Sequence, residues 1–451
     1  SKMADCNEIF EFIDSQKENM INTLKEFVSI PSIKSESAAD MPYGENVLKA
    51  LNFISSKANE FGLKTENFEN KIRIARYGDG EDKLGILCHT DVVGVNADNW
   101  QSPPFEPEIR DNMLYGRGSL DNKGPTVAAL FALYALKECG VKLKNKTALF
   151  FGSDEESGMH DFKDYLKKYK LPQFAFAPDA CFPVGISETG AIRLCWKTQF
   201  SSNKILSVHS GSMPSIVPES AVAVIKTGSI GNMETVLNGI PDIKYLIEKS
   251  KKTTKVTVFG KSTHTAHPQC GINALTAMLK LLSYTDDNGI FSDLATIFPH
   301  GAFYGEGCGI EQGKIVASLT KLDYENEQLT FNADCRVTVG ENAVKLAEII
   351  QKKISLPVNE SSIDEPHYVS PDSYLVKILS GVYTECTGRT DAPYPLDAMT
   401  YAHLKNDAVI FGGVKCGDNS CNAHSDDECY NLDTLVLAAK MFAKAMIEIC
   451  K

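Results

Sequence analysis

Five short segments carry residue types that can bind a cation and move a proton. His89 and Asp91 follow the apolar run KLGILC, Asp121 and Asn122 lie in YGRGSLDNKGP, and Glu155 and Glu156 lie in GSDEESG. Asp179 lies in APDA and His424 in NAHSDDE. Each has an ordinary structural reading when taken alone. A His beside a strand end is commonly a hydrogen-bonded loop residue, Asp121 or Asn122 can cap the helix that follows, and acids ahead of a helix complement its dipole. Together they read differently. Acids facing one crevice repel one another unless a cation offsets them, and two imidazoles with three carboxylates form a nitrogen and oxygen donor set suited to zinc or manganese. Asp91 adds to this, because a metal-bound imidazole usually has its second nitrogen oriented by a carboxylate. No GxxxxGK[ST] or GxGxxG loop offers the site a phosphate group instead.

The elements that must position these residues follow from hydrophobic patterning. GENVLKALNFISSKANEF has helical periodicity, KLGILCH is a short apolar run, and GPTVAALFALYALKECG is an apolar helix closed by Gly140. KTALFFG and FAFAP are further buried runs, and SGMHDFKDYLKKYK is a helix stopped at Leu171 and Pro172. Strand and helix in alternation predict an α/β fold with a mixed, mostly parallel sheet covered on both faces. Ligands bind such sheets beyond the carboxyl ends of the strands, where the candidate residues fall one after another. After about residue 187, AIRLCWKTQFS, KVTVFGKS and LTFNADCRVTV are β-rich and more polar, with two helical stretches between them. That is an α+β pattern, long enough to hold two small lobes. From about residue 372 a helix, a strand and a terminal helix return. The expected organisation is a catalytic domain made of 1–187 and 372–451, with an inserted lid domain at 188–371.

Bulk properties narrow the function. A chain of 451 residues exceeds one ordinary core, and 43% hydrophobic with 23% charged residues is a globular composition. A net charge of -12 disfavours nucleic acid and anionic membrane as partners. The densest basic cluster, Lys251, Lys252 and Lys255, reads as a solvated helix end. An odd count of 13 cysteines without a CxxC pair points to reduced thiols. With an acidic opening segment and no long apolar stretch, a cytoplasmic location is expected.

In order and spacing, HTDVV, NWQSPPFEPEIRDNMLYGRGSLDNKGP, SDEESG, APDA, GKSTHTAHPQCGINA and NAHSDDE resemble the co-catalytic di-zinc peptidases related to carboxypeptidase G2, aminoacylase and carnosinase, and within them the PepV-type dipeptidases. The resemblance runs over most of the chain. It implies a zinc-exopeptidase-like catalytic domain and two divalent metal ions, zinc or alternatively manganese or cobalt. His89 and Asp179 would bind one ion, Glu156 and His424 the other, and Asp121 would bridge them, with a cis bond between Asp121 and Asn122. It also implies Asp91 as the orienter of His89, Glu155 as general base, His264 as the lid histidine that steadies the oxyanion, and Arg336 as the grip on the substrate carboxylate. His267 reads as a surface neighbour, and an arginine in a strand such as Arg336 has a surface ion pair as its bland alternative. The long inserted segment implies a functional monomer.

The departures cluster in substrate recognition. Ala398 and Met399 replace glycines ahead of Thr400, His403 stands where Arg is frequent, Ser215 replaces an expected Asn, and Cys88 replaces a Gly. Ser215 and Thr400 are therefore the substrate-binding candidates whose surroundings differ most. The expected activity is hydrolysis of the amide bond of a dipeptide or other short peptide. The alternatives are an N-acyl amino acid deacylase or desuccinylase, and a non-catalytic metal-binding relative.

Overall fold

A run such as Leu84 to Cys88, apolar on both sides of the strand, is stable only with both faces covered. The computed structural model describes residues 2–285, 287, 289–302 and 315–451, and it places this run in the strand Asp82–His89 near the centre of a nine-stranded sheet. Side chains alternate across the sheet. Ile86 and Cys88 join a large core that includes the helix Gly124–Glu138 and the terminal helix Leu432–Cys450, while Leu87 joins a smaller one with Phe150, Phe162 and Tyr401.

Asp82–His89 pairs in parallel with Lys146–Gly152 on one side and Phe174–Ala177 on the other. The late strand Val409–Ile410 extends this parallel centre beside Phe174–Ala177. Toward one margin the sheet turns antiparallel, through Ile72–Tyr77 and Lys64–Phe68, and Gly185–Glu188 pairs antiparallel with Val409–Ile410 on the other side. The fold is thus mixed α/β, and the carboxyl ends of its parallel strands share one edge.

Local sequence sets the elements around that edge. The helix Gly124–Glu138 is buried almost throughout, and only glycine fits at its start, because a Cβ on Gly124 would stand 2.2 Å from the Ser119 carbonyl oxygen and 2.4 Å from the Tyr430 ring. Asn431 starts the terminal helix by accepting the Asp433 and Thr434 amides at 2.9 and 3.0 Å, the usual N-cap arrangement. No helix among the described residues is long and apolar enough to cross a membrane.

The chain forms two compact units, one of Ser1–Ser187 with Tyr368–Lys451, the other of Glu188–His367. The second boundary thus falls before the residue 371 expected from sequence. Glu188–His367 holds one continuous eight-stranded sheet and one buried core, so lobes of the kind expected would be halves of a single layer. It carries four described helices, Met233–Asn238, Ala274–Leu282, Ile290–Ile297 and Ala343–Ile354, where sequence suggested two. The cluster of Lys251, Lys252 and Lys255 is not at a helix end. It occupies the hairpin between the strands Lys244–Lys249 and Thr253–Phe259, where Thr253, Thr254, Val256, Thr257 and Val258 supply the β-branched side chains that favour a strand.

Candidate active site

Three parallel strand ends deliver most of the site. His89 is the last residue of its strand and has no exposed surface. Its Nδ1 lies 2.9 Å from the backbone oxygen of Asp91 and 3.2 Å from Asp91 Oδ1, so Nδ1 carries the proton and Nε2 faces outward. Nε2 then stands 3.0 Å from Asp121 Oδ1, 3.5 Å from Asp179 Oδ2 and 3.7 Å from Glu155 Oε2. The Asp91 carboxylate also accepts the Glu155 amide at 3.2 Å and the Glu156 amide at 3.0 Å. One buried acid therefore positions both the imidazole and the acidic turn.

The other imidazole completes the group. His424 Nε2 lies 2.8 Å from Asp121 Oδ2 and 2.9 Å from Glu156 Oε1. Asp121 thus turns one carboxylate oxygen toward each histidine, and its bond to Asn122 is cis.

Several residues outside the expected ligand set hold this geometry. Asn122 accepts the His89 amide at 3.1 Å and donates to the Pro178 carbonyl oxygen at 2.8 Å, joining the ends of two strands. Glu428 is fully buried and accepts from Arg117 at 3.0 Å, from the Leu120 amide at 3.0 Å and from the Asp121 amide at 3.1 Å. Arg117 in turn donates to the Ser425 carbonyl oxygen at 2.9 Å. Asp161 receives the Ser153 amide and the Tyr401 hydroxyl at 2.8 and 2.6 Å. A Cβ on Gly152 would stand 2.1 Å from that hydroxyl, which explains the glycine ahead of the acidic turn. The Glu428 signal was present in NAHSDDE as its final acid.

The electrostatics test whether a cation suits the donors. Burial raises the Glu155 carboxyl well above its ordinary range, and Asp179 and Glu156 push it further. Burial, then Asp121, raises Glu156 to about 8, and burial with Asp121 raises Asp179 to about 6 against the opposing pull of His89. Glu156 raises His424 to about 11. Burial opposes a charged His89, yet Asp179 and Glu155 outweigh it and the net shift is upward. Burial likewise opposes a charged Asp121, which His424 and His89 nevertheless hold well below the usual carboxylate range. Carboxylates that resist ionisation and imidazoles that attract protons are the signature of a site short of positive charge. His89, Asp121 and Glu156, and separately His89, Glu155 and Asp179, offer ligand atoms within 4.8 Å of one another. The donors fit divalent cations.

The sequence profile described as peptidase family M20/M25/M40 matches residues 85–448. The chain belongs to this family. Over 461 aligned residues it is 30% identical to the Bacillus subtilis protein YtjP, covering 97% of this chain and 98% of that protein. The fold resembles human carnosine dipeptidase 1, with a TM-score of 0.61, 13% identity and 99% of each chain covered. It also resembles Dug1p of Saccharomyces cerevisiae, with a TM-score of 0.62, 14% identity and 99% and 98% covered. This M20 peptidase is thus a hydrolase of peptide bonds.

The remaining candidates of the M20 peptidase are Thr400, in the same unit, and three residues of Glu188–His367. Thr400 is buried and accepts the Ala402 amide at 3.1 Å, capping the short turn Tyr401–Leu404. Within Glu188–His367, Ser215, His264 and Arg336 come together around Thr265. The Ser215 carbonyl oxygen accepts the Thr265 amide at 3.1 Å, and the short strands Ile216–Val217 and Thr263–His264 pair. His264 is exposed, and its Nδ1 accepts the Ala266 amide at 3.0 Å. Arg336 donates to the Thr265 hydroxyl at 3.2 Å and pairs with Asp334 at 3.1 Å. The ion pair considered from sequence is therefore present, but buried and not at the surface.

Proposed function

We propose that this M20 peptidase hydrolyses the amide bond of dipeptides with two divalent cations, zinc in the first place and manganese or cobalt as substitutes. The observation that carries the proposal is the position of Asp121, with one oxygen on His89 and the other on His424. His89 and Asp179 would hold one cation, Glu156 and His424 the other, and Asp121 both. When bound, such cations polarise a carbonyl and make water acidic near neutral pH.

The chain's own residues do the rest. Asp91 fixes the His89 tautomer through Nδ1 and holds the backbone of the acidic turn. Glu155 removes the proton from the attacking water and returns it to the departing amine. Its carboxyl group is buried and stands 3.7 Å from His89 Nε2, inside the donor cluster where such a water would sit. Arg336 and His264 are assigned to the substrate carboxylate and the developing oxyanion by motif order, and Ser215 and Thr400 to the substrate's surroundings.

The names of the relatives support a dipeptide substrate: YtjP carries a provisional dipeptidase name, and carnosine dipeptidase 1 and Dug1p are titled dipeptidases. The test is a panel of free dipeptides and N-acyl amino acids assayed with added zinc, manganese or cobalt. Turnover of dipeptides, lost on chelation and regained with metal, is expected. Turnover of acylated amino acids alone would replace the dipeptidase reading with a deacylase, and no turnover with any metal would leave a binding protein.

A further inference from the structure

Cys421 and Cys429 bracket the segment that carries His424 and Glu428, and their backbones meet. The Cys429 amide donates to the Cys421 carbonyl oxygen at 2.9 Å, which draws the ends of the loop together. The Cys429 thiol reaches the carbonyl oxygen of Ser420, the neighbour of Cys421, at 3.3 Å, and the Cys421 thiol faces Asp418 Oδ2 at 3.9 Å. Both side chains are buried and free. Cys421 nevertheless lines a cavity of about 370 Å³ that also reaches Asp121, Asp179 and Asn422. A small oxidant in that cavity meets Cys421, whereas Cys429 does not line it.

We propose that Cys421 and Cys429 are a reversible redox pair whose disulfide closes the loop carrying His424 into a covalent ring. The oxidant is a hydroperoxide. Cys421 Sγ attacks it, the O–O bond breaks, and Cys421 becomes a sulfenic acid as the first oxygen leaves in water or alcohol. Cys429 Sγ then attacks Cys421 Sγ. The S–S bond forms, the S–O bond breaks, and the second oxygen leaves as water with the remaining thiol hydrogen. Two electrons and two hydrogens pass from the thiols to the peroxide, and a dithiol reductant reverses the change by exchange. Cys429 and burial push the Cys421 thiol up, which makes the peroxide step the slower of the two, whereas Cys421 lowers the Cys429 thiol below its ordinary value and favours the thiolate that the second step needs. A ring restricts the open conformations of the loop, so the oxidised chain keeps His424 beside Asp121 and Glu156 for longer.

The test treats the full-length protein with hydrogen peroxide, alkylates it, and maps peptides without reduction. The peptide containing both cysteines is expected to lose two hydrogens and to be alkylated at Cys421 and Cys429 only after dithiothreitol. Recovery of both thiols alkylated, or of either one bridged to a different cysteine, overturns the proposal. In Cys429→Ser the reaction is expected to stop at a sulfenic acid on Cys421 that dimedone traps, and the absence of that adduct overturns the order of the steps. Zinc transfer to a chelating dye is expected to slow several-fold on oxidation and to recover on reduction. An unchanged rate overturns the claim that the ring steadies His424. That last measurement alone rests on the metal site proposed above, so its failure is distinguishable from failure of the disulfide.

Discussion

Adjacent acids with separate tasks make the sharpest predictions at the scale of the residue. Glu156 lies 2.9 Å from His424, whereas Glu155 lies 3.7 Å from His89. Glu155→Ala is expected to lower turnover by about 10²–10⁴-fold, the usual contribution of a general base, with metal content near that of the unaltered protein. His424→Ala removes a donor and is expected to lower the metal content itself. Turnover assays paired with elemental analysis decide between the roles: equal metal loss in both variants would make Glu155 a ligand as well. These residues were legible because each stands in a short polar motif after an apolar run. Asn122 and Arg117 were not, because their work consists of hydrogen bonds to backbone groups distant in sequence, such as the carbonyl oxygens of Pro178 and Ser425.

At the scale of the element, the loop before Gly124–Glu138 and the loop before the terminal helix are tied by one buried ion pair, Glu428 with Arg117. The small antiparallel pairing of Cys429–Asn431 with Met113–Tyr115 sets the register that brings them together. Removing one member of a buried pair leaves the other uncompensated and costs about 3–5 kcal/mol. Glu428→Gln keeps the shape but loses the charge. It is expected to destabilise the chain by about that amount and to loosen Asp121, whose amide Glu428 holds. Urea unfolding checks the first effect. Metal affinity checks the second, and an affinity unchanged by the substitution would restrict Glu428 to a structural role. The central strands and the two helices beside them were readable from periodicity, since uninterrupted apolar runs have few other solutions. The antiparallel margin was not read, because KTENF and IRIARY alternate with charged residues and carry little signal without a partner strand. The helices of Glu188–His367 number four among the described residues against the two expected, since polar edge strands and short helices differ little in pattern.

At the scale of the whole molecule, the site sets a condition on stability. Glu155 is buried, Glu156 and Asp179 are partly buried beside it, and desolvation and mutual repulsion push all three carboxyl groups upward. Without cations, folding therefore confines groups that would ionise freely in the unfolded chain, and cations that bind only the folded form stabilise it by mass action, about 2.7 kcal/mol at a hundredfold excess over Kd. Chelation is expected to lower Tm, and added zinc to restore it in a concentration-dependent way. The control is His424→Ala, in which the restored shift should be smaller because a donor is gone. Asp91→Asn tests the same idea one step back. It withdraws the charge beside His89 Nδ1 and gives up one of the two amide hydrogen bonds that hold the acidic turn, so a weaker dependence of Tm on zinc is expected together with a lower metal-free Tm. A Tm that ignores chelator and zinc alike would show that the acids are held together without cations, and the metal role would have to be abandoned.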